Sequence, residues 1–306
     1  MGSRDTHATF RFIDLKTHTV VNEKFVKPWG KVDDGGRSYK YSDLERPVGD
    51  IRGRENEFGT DVSGFAVFHK PAQEKEFTDD NVVRESYYPE VEALLREKLP
   101  GVKKVVIFDH TIRRRTKDSP RQPVQQVHVD QTPGAAEVRV RRHLPSEEAE
   151  ELLKGRYQII NVWRPIGHNA SDFPLALVDW RTTSPRDFIK VDLLYPKRQV
   201  DDDGDDRGKE ALPTERNSLD VSNYEIKGET YAVASSDQHR FFYMSDMTPE
   251  EVMFIKCCDS RSQNWLGDKA KGVAGMTPHT AFQDPNTPKD APGRQSIEVR
   301  CLVFYE

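Results

Sequence analysis

Residues 8–15 alternate apolar and polar side chains, the period of two that marks a strand with one buried face. GFAVFH at 64–69 and KKVVIFDH at 103–110 predict two more strands, the second flanked upstream by the breaker Pro100-Gly101. Between them the pattern changes. Thr78-Asp79-Asp80 offers a helix cap, acidic residues fill the first turn, and Arg96 and Lys98 fill the last. Val91, Leu94 and Leu95 supply the buried stripe of this helix, and Pro89 should kink or split it. EVRVRRHL at 137–144 alternates again and predicts a strand; Pro145-Ser146-Glu147-Glu148 opens a short helix through Lys154. The rest predicts strands at 157–166, 175–181, 187–195, 229–235, 239–245, 251–258 and 297–305.

This order predicts a mainly β protein: a double-sheet barrel with a few peripheral α-helices packed outside, and a small-molecule site at the mouth where strand ends converge. The 306 residues fit one domain, with residues 1–62 forming a first strand and an extended arm and residues 63–306 the core. Residues 28–62, rich in Gly, Asp and Arg, read as loop.

Composition narrows the function. No run of 18 apolar residues exists to span a membrane, and MGSRDTHATF lacks the apolar segment of a secretory signal. Cys257, Cys258 and Cys301 match no zinc spacing and lie in apolar stretches, so they read as small core residues in a reducing, cytoplasmic setting. A net charge of −5 gives no electrostatic case for nucleic acid. The acidic run at 200–206 lacks EF-hand order and reads as an exposed loop.

The candidate chemistry begins at His128-Val129-Asp130. In a strand, residues 128 and 130 point to one side, so His-x-Asp is a two-ligand claw that needs one more donor. Two imidazoles and a carboxylate on one face of a metal suit Fe(II) that must also bind O₂ and a co-substrate. His239 and His279 compete for the third position. His239 opens an aromatic strand with no Arg-x-Ser downstream at a useful distance. His279 precedes a Pro-rich loop that returns into the last strand through Arg294 and Ser296, which favours it.

That pair has a chemical use. 2-Oxoglutarate chelating the metal would supply two electrons by decarboxylation, and its far carboxylate needs a cationic clamp. Arg294, Ser296 and Arg300 share one strand face, so Arg294 is the main clamp and Arg300 the competing one. Asn161, on a face with Tyr157, Ile159 and Trp163, bonds the co-substrate or an iron-bound water, or makes a structural hydrogen bond. Arg113, Arg164, His239 and Arg240 are candidate substrate contacts.

Together His128-x-Asp130, Pro278-His279 and Arg294-x-Ser296 resemble the Fe(II)/2-oxoglutarate-dependent dioxygenases. The blocks FDHTIRR, VHVDQT, YQIINVWRPI, PLALVDWR, HRFFYMSDMTPEEV, TPHTAFQDP and RQSIEVRCLVF resemble more closely the fungal hydroxylase/desaturase group, which includes aspergillic acid hydroxylase and gibberellin desaturase, and the related cephem-methoxylase-like proteins. The resemblance implies a double-stranded β-helix (jelly roll), Fe(II), 2-oxoglutarate and O₂. It implies hydroxylation, desaturation or ring closure, aziridine formation included, of a small secondary metabolite or amino acid. The alternatives are an iron oxidase that ignores 2-oxoglutarate and a jelly-roll binding protein without catalysis.

Overall fold

A computed structural model describes residues 4–32, 35–115, 123–197, 219–262 and 272–306; the acidic run 200–206 lies outside them. The first strands are β1 (Thr6–Asp14), β2 (Trp29–Lys31), β3 (Lys40–Asp50), β4 (Phe65–His69) and β5 (Val102–Arg114). Then come β6 (His128–Val129), β7 (Tyr157–Pro165), β8 (Leu175–Val178), β9 (Phe188–Pro196) and β10 (Tyr224–Val233). The last are β11 (Phe241–Tyr243), β12 (Glu251–Asp259), β13 (His279–Ala281) and β14 (Gln295–Tyr305). The helices are α1 (Asp80–Val82), α2 (Tyr88–Lys98), α3 (Pro133–His143) and α4 (Ser146–Leu153).

Two sheets face each other. Nine strands run in the order β1-β3-β11-β8-β13-β6-β10-β9-β2, and five in the order β4-β12-β7-β14-β5. The mainly β, double-sheet expectation with peripheral helices is met. Central strand β7 is buried at every residue, because both of its faces are covered. Its outer neighbours Ile160 and Val162, with Ile297, Val299 and Cys301 of β14, pack against Val91, Leu94 and Leu95 of α2. The opposite face of the same strands looks into the space between the sheets.

The helix expected at 78–98 is split where Pro89 predicts. Asp79 caps α1 by accepting from the backbone of Asn81 and Val82, a π-helical turn covers Val83–Tyr87, and α2 carries Pro89 in its first turn. Proline lacks an N–H and its ring crowds the carbonyl four residues back, so a widened turn relieves the conflict.

Two expectations fail. EVRVRRHL is not a strand: it belongs to α3, whose N-cap Thr132 accepts from Ala135 N at 3.2 Å. Ala136 and Val140, four apart, are its buried stripe, while Val138 is exposed. The alternation was incidental, and the Thr132-Pro133 start signal wins. Residues 28–62 are not a loop either. β3 pairs antiparallel with β1 over its whole length, from Thr6↔Val48 to Asp14↔Lys40, and parallel with β11. β1 and β3 are thus part of the large sheet rather than an arm outside it.

Candidate metal centre

His128 stands on β6 and His279 on β13, and these strands pair so that the two histidines lie directly opposite each other. Their ring centroids are 4.6 Å apart. Asp130 follows β6 as the chain turns towards α3. The ligand atoms of the three residues all lie within 4.8 Å of one another. His128 Nε2 is 3.3 Å and His279 Nε2 3.9 Å from Asp130 Oδ1.

Each imidazole is oriented by its other nitrogen. His128 Nδ1 lies 2.7 Å from the carbonyl of Gln126, and His279 Nδ1 lies 3.0 Å from that of Thr277. An Nδ1–H held by a carbonyl leaves Nε2 as a lone-pair donor, the arrangement metal-binding histidines use. Oδ2 of Asp130 is also engaged: it accepts from Asn161 Nδ2 at 2.7 Å and faces Arg300 Nε at 3.6 Å. Oδ1 is left on the histidine side. Two neutral nitrogens and one carboxylate oxygen on one side of a point form a donor set that fits Fe(II) with open positions.

The electrostatics favour this donor set at Asp130 and His279, while at His128 burial opposes the charge but the hydrogen bond and charge of Asp130 outweigh it and raise the imidazole. Burial opposes the charge of Asp130, but the His128 hydrogen bond and the charges of Arg300 and His279 outweigh it and hold the carboxyl well below its usual range. Burial, with the charge of His128 beside it, lowers His279, which favours the neutral ligand form.

A cavity of about 120 Å³ opens beside the triad. Its far wall is the inner face of three paired strands. β14 contributes Ser296, Glu298 and Arg300, Arg294 stands just before it, β5 contributes Thr111 and Arg113, and β7 contributes Trp163. The shared strand face expected for 294, 296 and 300 is therefore present, and Glu298 belongs to it. Val124, Leu175, Thr280 and Ala281 complete the lining.

Arg294, just before β14, and Arg300, on it, differ. Arg294 is 4% exposed; Nη1 donates to the carbonyl of Phe173 at 2.7 Å, Nε has no partner, and the guanidinium lies over Trp163. Among the described residues no carboxylate forms an ion pair with it. Burial, with Arg113 nearby, pushes its pKa down to about 10. Arg300 is well partnered: Nη1 donates to Asp109 at 2.8 Å and Thr111 at 3.0 Å, and Nη2 donates to Glu298 at 2.7 Å.

Three candidate substrate contacts do not reach the cavity. Arg164 alternates to the outer face of β7, where it lies over Tyr87 and donates to the Pro249 carbonyl at 3.3 Å. His239 is buried against Phe12 and Phe241, with Nε2 3.0 Å from Asp187. Arg240 is exposed and donates to the carbonyl of Asp237. Arg113 does line the cavity. Sequence reasoning passed over Glu298 and Thr111 as site residues, although parity with Arg300 and Arg113 on their strands places both there.

A family profile described as "YDMC: Oxidoreductase/YMDC permease-like domain" matches residues 16–304. The hydroxylase/desaturase efuI of Hormonema carpetanum is 31% identical over 288 residues, covering 89% of this chain and 87% of that protein. The hydroxylase/desaturase poxK of Penicillium oxalicum is 33% identical over 269 residues, covering 85% and 78%. Among solved structures, the iron and alpha-ketoglutarate-dependent endoperoxidase NvfI superposes with a TM-score of 0.76 at 25% identity, over 98% of each chain. The chain belongs to the fungal hydroxylase/desaturase family, enzymes related to the Fe(II)/2-oxoglutarate-dependent dioxygenases.

Proposed function

We propose that the protein is a non-haem Fe(II)/2-oxoglutarate-dependent oxygenase that hydroxylates, desaturates or cyclises a small molecule of secondary metabolism. His128, Asp130 and His279 hold the iron, and Arg294 with Ser296 binds the far carboxylate of 2-oxoglutarate. Bound iron, co-substrate and O₂ together supply an oxidant strong enough to take hydrogen from an unactivated C–H bond. The chain supplies position and exclusion of water.

One observation carries the reading: the three donor atoms converge on a cavity whose other wall carries a buried arginine without an ion-pair partner among the described residues. A buried, unpaired guanidinium is costly unless an anion arrives to meet it. Ser296, 2% exposed and on the same face, can add a hydroxyl to that anion. Arg300 and Asn161 take a different role from the co-substrate contacts their positions suggest. Both engage Oδ2 of Asp130, which would leave Oδ1 as the oxygen offered to a metal.

The test is direct. Purified protein loaded anaerobically with Fe(II) should bind one iron and develop a weak visible band on addition of 2-oxoglutarate, then form succinate in air. A colourless complex that consumes O₂ without succinate would identify an oxidase that takes all its electrons from the substrate.

A further inference from the structure

Arg113, Arg114 and Arg115 stand in a row where β5 ends, and they go three different ways. Arg114 donates to the carbonyls of Glu76 at 2.6 Å and Phe77 at 3.1 Å, away from the cavity. Arg115 pairs with Asp172 at 3.0 Å, and its guanidinium lies over the Phe173 ring. Of the three, Arg113 is the one that lines the cavity.

Register fixes where it does so. Arg113 stands directly opposite Ser296 across the β5–β14 ladder. Side chains so paired share one face, with Cβ atoms about 5 Å apart. Arg294 comes two residues before Ser296 and lines the same cavity. Arg113 is near enough for its charge to act on Arg294, second only to burial in lowering that pKa.

The wall is therefore polarised from end to end. Its lining carboxylates are Asp130 and Glu298, and both gather round Arg300. Glu298 accepts from Arg300 at 2.7 Å, and Asp130 faces it at 3.6 Å. The other end presents Arg113, Arg294 and the Ser296 hydroxyl, with no carboxylate among the lining residues there. Two like charges side by side repel, and an anion placed between them relieves both. One carboxylate has about four lone-pair sites, enough for two guanidinium groups and a hydroxyl.

We propose that Arg113 is a second cationic arm of the co-substrate clamp, meeting the far carboxylate of 2-oxoglutarate from β5 while Arg294 and Ser296 meet it from the other side. This rests on reading the centre as a Fe(II)/2-oxoglutarate site. It moves Arg113 from the substrate contacts, where the sequence alone puts it, to the co-substrate. It also makes the clamp selective, because a 2-oxo acid that ends in a methyl group brings no anion between the two guanidinium groups.

The experiment is anaerobic titration of the Fe(II)-loaded protein, read by the visible band, with 2-oxoglutarate and with 2-oxovalerate. The second probe has the same chain length but a methyl in place of the far carboxylate. Arg113→Met should lose roughly tenfold or more in affinity for 2-oxoglutarate, the worth of a charge-assisted hydrogen bond. Its affinity for 2-oxovalerate and its iron stoichiometry should match wild type, and Arg113→Lys, which keeps the charge, should recover part of the loss. If the methionine variant does not fold by circular dichroism, Arg113→Gln makes the same comparison. A smaller loss, an equal loss for 2-oxovalerate, or no recovery in Arg113→Lys would overturn the proposal. A wild type that forms no band with 2-oxoglutarate would instead sink the co-substrate reading, and the role of Arg113 with it. A band in wild type with unaltered discrimination in Arg113→Met removes Arg113 alone.

Discussion

Replacing Arg294 should separate co-substrate binding from folding in opposite directions. The guanidinium is 4% exposed, has one unpartnered nitrogen, and forms no ion pair among the described residues. On the proposed reading, the far carboxylate of 2-oxoglutarate becomes its partner in the loaded enzyme. Removing one member of such a buried charged pair costs roughly 3–5 kcal/mol. At about 1.4 kcal/mol per factor of ten, the KM for 2-oxoglutarate in Arg294→Met should rise roughly a hundredfold to a few thousandfold. Folding stability without ligand should not suffer. Burial lowers the pKa of Arg294, so its protonated form is less favourable in the folded state than in the unfolded chain. Methionine removes that cost and still covers Trp163, at the loss of one hydrogen bond to Phe173. The assay is succinate formation against 2-oxoglutarate concentration, beside thermal unfolding of the ligand-free protein. Wild type should gain Tm on adding 2-oxoglutarate, and the variant should not. A KM change under tenfold, or a larger co-substrate defect in Arg300→Ala than in Arg294→Met, would refute the assignment.

His279→Ala should lose iron binding and turnover, whereas His239→Ala, distant from the cavity, should keep one iron by metal analysis while losing stability through its contacts with Asp187 and Phe12; full iron loading of His279→Ala would sink the triad. Asn161→Ala frees Oδ2 of Asp130 and should weaken Fe(II) affinity by about 10- to 100-fold in a competition titration, with little change if the amide is merely structural. Lys256, fully buried, bridges Asp61 at 2.6 Å and Asp259 at 2.8 Å, so Lys256→Met should destabilise the fold by roughly 3–5 kcal/mol in urea. Burial opposes charge on Asp61 and Asp259, but Lys256 together with Arg156 prevails and holds both carboxyls below their usual range. Their contribution is therefore complete above the unfolded carboxyl value of about 4 and is lost as pH falls through the folded values. Acid unfolding of wild type, followed by far-ultraviolet circular dichroism, should begin below that pH, and that of Lys256→Met at a higher one.

The triad was legible because its chemistry is local in sequence or set by strand parity. His128 and Asp130 are two apart, and Arg294, Ser296 and Arg300 share one face whatever the partner strands are. What parity cannot give is the other wall. Arg164 and Trp163 are adjacent, yet Trp163 lines the cavity and Arg164 lies under the helices. Alternation already put Asn161 and Trp163 on one face, so Arg164 belonged to the other. His239 was a reasonable rival to His279 on composition alone. Only the pairing of β13 with β6 sets His279 opposite His128. β3 escaped notice because its residues are polar on both faces over much of its length and include Pro47 and Gly49, residues that weaken strands. Its place is set by β1 and β11 on either side rather than by its own propensity.

The inner and outer faces of β14 explain why the site geometry is reproducible. Ile297, Val299, Cys301 and Val303 are fully buried against α2 and its neighbours, while Ser296, Glu298 and Arg300 face the cavity. A slip of one residue would send three polar side chains into an apolar layer and the apolar set into the site. The core on one face therefore fixes the register on which the chemistry of the other depends. The irregularity between Arg300 and Cys301, where β5 inserts Phe108 as an extra residue, falls at the end of the polar run. There Asp109 lies opposite Arg300 and reaches its guanidinium. The bulge thus falls where Arg300, the last cavity-facing residue of the run, meets Asp109 and faces Asp130.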